Sequence, residues 1–315
     1  MPSAGLGEKR DHAVGIALVV AAALLWSGGG LGIKLVHAHP LAIAGYRCFF
    51  ALPVMLVALG FAARERGGEV RAALLRPSTW YVAISYAVAV MLYVAATRLT
   101  TAANAILLQY TSPLHVVLLS PLLLRERVAW WDWLAVGGCG AGMLFFFGNG
   151  FADGAALGNV LALVSGFGFG LLTLLLRKER LDAVRRGEAF ADVAGSPLGA
   201  LVAVTLGNAI GSLLASPWMV IAGPVELTSV AVLLALGLLQ IGVSYVLFIA
   251  GTARVTAVEA GLVASIEPVL NPVWVALGYG ERPSVGALVG GFLIVASVTL
   301  RGLLATRARR RAPPL

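Results

Sequence analysis

The chain has 315 residues, 59% hydrophobic and only 12% charged, and its mean hydropathy is +0.91. Soluble domains run at about 45–50% and about 25%, so a single water-facing core cannot hide this much apolar surface, and the bilayer is the natural solvent. The net charge of +8 does not mark a nucleic-acid surface, because the cations fall in short loops between apolar runs. Cys48 and Cys139 lie in such runs and frame no disulfide. His12, His37, His39 and His115 lack the paired spacing of metal ligands. No metal, cofactor or nucleic-acid partner is expected, and no enzymatic activity.

A helix needs about 20 residues to cross the hydrocarbon core. Ten runs are that long: 13–35, 41–62, 77–97, 101–124, 129–149, 156–176, 197–219, 229–250, 256–279 and 284–305. The first follows Lys9 and Arg10 but is too long for the apolar core of a signal peptide, so it reads as a retained helix. It carries Trp26, Ser27 and the string Gly28-Gly29-Gly30, which lacks the strand and the Gly-Lys-Ser/Thr of a phosphate loop. Gly28 and Gly32 have the spacing of close helix contact, as do Gly138/Gly142 and Gly286/Gly290, within one chain or between the copies of a homodimer. The second run holds Arg47, which suits either a substrate carboxylate or a structural role, bonding helix ends or snorkelling to the interface. The third holds Tyr93.

The fourth run has Pro113 near its middle and places Asn104, Thr111, Ser112 and His115 on one face, with Gln109 off it. His115 fits either a buried hydrogen-bonded role or a cavity, and an unperturbed imidazole titrates near ~6.5. The eighth run carries Gln240, Ser244 and Tyr245. In the ninth, Ser265-Ile266-Glu267-Pro268-Val269-Leu270-Asn271-Pro272 interrupts the apolar pattern, and Glu267, Asn271 and Trp274 recur at i, i+4 and i+7. Glu259 and Glu267 are the acids expected inside a span. Two readings of Glu267 stay open: it meets a substrate or a proton, or it bonds carbonyls freed by its own prolines. The candidate binding residues are thus Trp26, Tyr93, Asn104, Ser112, His115, Gln240, Tyr245, Glu267, Asn271 and Trp274.

Nineteen of the 23 Lys and Arg fall on one side of this threading and four, Lys34, Arg47, Arg98 and Arg282, on the other. The bias predicts both termini in the cytoplasm, with residues 1–12 as an N-terminal segment and 306–315 as a basic tail that also suits anionic lipid. Thr111–Arg127 and Ile266–Arg282 align at an offset of 155, pairing Pro113 with Pro268, Glu126 with Glu281 and Arg127 with Arg282. Thr97 and Thr252 match at the same offset, as do Ala102 and Ala257. The Glu-Arg pairs read as span ends at water. Two five-helix units, 13–149 and 156–305, inserted in opposite senses, make an all-α integral membrane fold of ten helices. Secondary transporters share that plan, with the site at the midplane.

On these residues the chain resembles the drug/metabolite transporter superfamily and its EamA-type exporters. The matching features are Ala-Leu-Leu-Trp-Ser at Ala23, Arg47, Gln-Tyr-Thr-Ser-Pro-Leu at Gln109 with a terminal Arg-Glu-Arg, and Ile-Glu-Pro-Val at Ile266 with a terminal Gly-Glu-Arg. His115 departs from the pattern, where relatives carry an apolar or aromatic residue. The resemblance implies a multi-pass carrier in a cell inner membrane, exporting a small metabolite by alternating access. Glu267 favours an amine and Arg47 a carboxylate, so an amino acid or related amphiphile is the expected substrate. A membrane-embedded enzyme and a lipid scramblase are the alternative readings.

Overall fold

The computed structural model describes residues 3–125, 128–150, 155–187, 196–221, 223 and 225–311. The described elements are all helical. In chain order they are α1 Ser3–Ser27, α2 Gly29–Leu35, α3 Pro40–Leu75, α4 Pro77–Leu99, α5 Ala102–Gln109, α6 Ser112–Leu124 and α7 Trp130–Gly150. There follow α8 Ala156–Arg186, α9 Pro197–Ile221, α10 Leu227–Leu234, a π-helical segment Ala235–Val243, α11 Ser244–Thr252, α12 Ala257–Ala264, α13 Ile266–Tyr279 and α14 Val285–Arg311. Among the described residues, nine helical stretches are long and apolar enough to cross a membrane, and α7 accounts for the remaining run. Three helices outlast their apolar runs: α3, α8 and α14 continue as polar helix to Leu75, Arg186 and Arg311. The expected C-terminal tail therefore starts as helix. Glu126 and Arg127 lie outside the described residues.

The fourth and ninth runs are interrupted, and proline explains where. Pro113 cannot donate to the carbonyl of Gln109, nor Pro268 to that of Ala264, so each helix is broken within a turn of its proline. α5 gives way to α6 at Tyr110–Thr111 and α12 to α13 at Ser265. The Thr101 hydroxyl caps α5 by accepting from the Asn104 N–H at 3.1 Å. Thr256 caps α12 in a reciprocal box with Glu259. The helices that follow the breaks, α6 and α13, both end on a left-handed residue, Arg125 at φ 57° and Gly280 at φ 78°. Each of these pairs stands 155 residues apart. The Glu259 side chain is 38% exposed and bonded to His12 at 3.0 Å, so it is a helix cap and not an acid within the span.

Two other irregularities were not expected. The first run breaks at Gly28. The eighth contains nine residues of π-helix, where Gly237 and Gly242 both turn toward α3. A Cβ on Gly237 would overlap Phe50, and one on Gly242 would stand 2.9 Å from Val54 Cβ. Five residues make roughly one π-helical turn, so the spacing of these glycines suits the wider coil.

Helices from the two ends of the chain interleave. α3 packs on α9, α7 on α14, α4 on α8 and α9, and α1 on α11 and α13. Ile33, Ile43, Ile106, Leu108, Leu233 and Ile294 are fully buried between them, while Phe61, Leu122, Leu213, Leu277 and Phe292 face outward on the apolar exterior. Close approach of α7 and α14 rests on Gly138, whose added Cβ would meet Ser297, and on Gly142, which faces the Gly290 carbonyl. In the first run Gly28 meets only its own helix; Gly29, Gly30 and Gly32 make the contacts, against Gln240, Asn271 and Leu236. At the end of the bundle rich in Lys and Arg, Asp11 pairs with Arg254, Arg76 with Glu179, and Arg301 with Asp132 at 2.7 Å.

Candidate functional site

The four irregular points meet. A break in a buried helix frees backbone groups that polar side chains must satisfy, and here each break is satisfied by another. Gln240 in the π-segment donates to the Trp26 carbonyl at 3.3 Å, at the end of α1. The Trp274 indole N–H of α13 donates to Ser27 Oγ at 2.9 Å. Asn271 lies against Gly30 and donates to Tyr93 Oη at 3.3 Å. Tyr110, at the α5–α6 break, reaches across to the α12–α13 break. It donates to the Ala264 carbonyl at 2.7 Å, which is the carbonyl that Pro268 leaves bare, and its Oη lies 3.3 Å from Glu267 Oε2. Glu267 therefore does not serve that carbonyl itself.

Arg47 is 2% exposed. It does not snorkel, which overturns that part of the structural reading of this residue. Its Nη2 donates to Gln240 Oε1 at 2.8 Å, and Nε and Nη1 are buried with no acceptor. Gln240 is held by the close approach of Gly29 and by its bond to Trp26. The guanidinium lies within electrostatic reach of Glu267, Tyr86, Tyr93 and Tyr245. A buried cation with two unfilled donors is costly unless an anion reaches it, so the arrangement is suited to a ligand carboxylate. Aromatic rings surround it: Trp26 meets Tyr245 at 5.0 Å and Phe248 at 4.9 Å, and Tyr245 meets Tyr86 at 5.4 Å. Trp26, Tyr93, Gln240, Tyr245 and Glu267 thus come together around Arg47, with Asn271 joined to them through Tyr93 and the 39% exposed Trp274 through Ser27.

The three candidates of the fourth run lie apart from this cluster, because that face packs on α8. The Asn104 amide bonds Asn159 Oδ1 at 3.2 Å. The Ser112 carbonyl and the His115 side chain pack on Gly170, and the His115 ring sits edge-on to Phe167 at 5.6 Å. Gln109, expected off this face, meets the same helix and donates to Ser165 Oγ at 2.7 Å. The break at Tyr110–Thr111 shifts the phase, turning Tyr110 to the centre. Only the position of Tyr110, three residues before Pro113 in the proline-broken run, signalled it in sequence.

Glu281 stands just past the end of the ninth span but is not given over to water. Its side chain is 17% exposed and pairs with Lys34 at 2.7 Å, while its other oxygen accepts from the Ala102 N–H at 2.6 Å. Lys34 also donates to the Thr100 carbonyl, and Arg98 donates to the Lys34 carbonyl. This latch ties α2, α4, α5 and the end of α13 together at the end of the bundle opposite the basic one.

An all-α, multi-pass membrane protein whose interrupted helices gather a cation, an acid and aromatic rings has the architecture of a small-molecule carrier. The chain belongs to the EamA-like transporter family, whose profile matches residues 13–148 and 189–302, within the drug/metabolite transporter superfamily. It is 27% identical over 286 residues to an uncharacterized transporter of Archaeoglobus fulgidus, an alignment covering 91% of this chain and 95% of that one. A solved crystal structure with 21% identity superposes with a TM-score of 0.59, covering 94% of this chain and 99% of its own; it supports the fold.

Proposed function

We propose that this protein is a secondary transporter that exports a small zwitterionic metabolite of the amino-acid class across a cell inner membrane. Residues 13–149 and 156–305 act as inverted halves that alternate access to the site between them. The observation that carries this reading is the buried Arg47, with two donors that lack an acceptor, within electrostatic reach of Glu267 and close to the Trp26–Tyr245 ring pair, which offers a cation for a carboxylate, an acid for an ammonium and rings for an apolar side chain. The 155-residue correspondence of caps, breaks and helix ends supports the inverted halves. The Lys34–Glu281 latch supports closure of the site at the end away from the basic loops.

Removing a hydrogen bond to a charged group costs about 1.5–3 kcal/mol, so Glu267→Gln should slow initial efflux from loaded vesicles roughly 10- to 100-fold and flatten its profile between about pH 5.5 and 8. Near-normal rates with the wild-type profile would leave the carboxylate a purely structural group. The orientation is tested separately. Reporter fusions after Gly68 and Arg185 should both read as cytoplasmic, since both positions lie on the side carrying 19 of the 23 cations. Opposite readings at the two positions would remove the inverted arrangement.

A further inference from the structure

We infer that the Tyr110 hydroxyl couples the protonation of Glu267 to the bend between α12 and α13. The inference rests on the reading of Glu267 as the titrating acid of the site. Tyr110 has one proton to donate and two acceptors facing it: the Ala264 carbonyl at 2.7 Å and Glu267 Oε2 at 3.3 Å. Only the shorter contact has the length of a full hydroxyl hydrogen bond. Ala264 has no alternative donor at the usual helical position, because residue 268 is proline. The carbonyl of a broken helix therefore depends on a side chain from the other half of the chain.

Two arrangements follow from the donor count. With Glu267 protonated, its O–H donates to Tyr110 Oη and the tyrosine proton stays on the Ala264 carbonyl, so every group is satisfied and the bend is braced against the α5–α6 break. When the carboxyl proton passes to water on the side to which the site is open, the carboxylate becomes the stronger acceptor. The tyrosine proton turns to Glu267, Ala264 loses its donor, and the brace between the two broken helices is released. No covalent bond other than the departing O–H changes. The other titratable or charged groups facing Glu267 among the described residues are Arg47 from α3, Tyr93 from α4 and Tyr245 from α11. The side chain that bonds the Ala264 carbonyl is Tyr110 and none of these three, so Tyr110 is the link.

The test reads the bend directly, without substrate. Spin labels are placed at Gly261→Cys on α12, where an added side chain meets open space, and at Leu277→Cys on α13, 76% exposed. The interlabel distance distribution is measured in nanodiscs across about pH 5.5 to 8. The native protein should pass from a narrow to a broad distribution as pH rises. Tyr110→Phe should be broad at every pH. Glu267→Gln should be narrow at every pH, because its amide N–H donates to Oη and leaves the tyrosine on Ala264. Difluorotyrosine at position 110 keeps the ring and hydroxyl as a stronger donor and weaker acceptor, and should move the midpoint to lower pH. A native distribution that ignores pH, a Tyr110→Phe variant that still narrows in acid, or an unmoved midpoint with difluorotyrosine each overturns the inference. Normal efflux by Glu267→Gln in vesicles, with the native pH profile, overturns the reading of Glu267 as the titrating acid of the site instead, whatever the distances show.

Discussion

Gly237→Ala should destabilise the protein by about 1–3 kcal/mol, the usual cost of overpacking a filled interior, even though alanine in a regular helix gains about 1 kcal/mol over glycine. The neighbour decides the sign. The new methyl would overlap Phe50 Cβ and stand 2.9 Å from both the Arg47 carbonyl oxygen and the Phe50 carbonyl carbon. Backbone cannot swing aside as a side chain can, so α3 and the π-segment must separate. Gly30→Ala is the milder case, since its methyl meets the Asn271 amide. The separation also moves Arg47 away from Gln240, so transport should fall together with stability. Gly60, with nothing within 4 Å, is the control: Gly60→Ala should be neutral or slightly stabilising. Unfolding in mild detergent, followed by tryptophan fluorescence, measures all three. Equal stability of Gly237→Ala and Gly60→Ala would show that the π-segment has room to yield.

The second large effect separates stability from function. Arg47→Met should leave the fold intact, because replacing a buried charge with an apolar side chain of similar volume is often neutral or stabilising. It leaves Gln240 Oε1 without its donor, at a cost of about 1–3 kcal/mol; Arg47→Met combined with Gln240→Leu removes that orphan but bares the Trp26 carbonyl that Gln240 serves, so it should recover only part of the loss. Transport should fall at least roughly tenfold in both variants, as expected for the loss of one charge-assisted bond to a ligand anion. Efflux and thermal unfolding measured on the same preparations test the separation. Transport at the native rate in the double variant would make Arg47 a structural cation and remove the case for a substrate carboxylate.

Several features were legible in the sequence for local reasons. Apolar runs of membrane length need no partner to be recognised, since the hydrocarbon core sets their length. Pro113 and Pro268 announce breaks because the missing donor is a property of the residue itself. The 155-residue correspondence was also visible before any geometry, and the capping threonines and left-handed helix ends fall on it. The class of protein, its all-α membrane fold and the Glu267–Asn271–Trp274 face of α13 all follow from such short-range information.

What lay beyond the sequence is long-range. Arg47 and Gln240 are 193 residues apart and Tyr110 and Glu267 are 157 apart, and helical periodicity says nothing about which helices face each other. Packing turned Arg47 inward when snorkelling was as compatible with its position, set Asn104, Ser112 and His115 against α8 instead of at the centre, and drew Glu281 onto Lys34. The π-segment was hidden for the same reason: a wider coil is worth forming only where α3 approaches closely enough for Gly237 and Gly242 to matter. Residue type and spacing determined which helices cross the membrane and where Pro113 and Pro268 break them; only the packing of those helices decided which polar groups are satisfied by protein and which, as at Arg47, are left for a ligand.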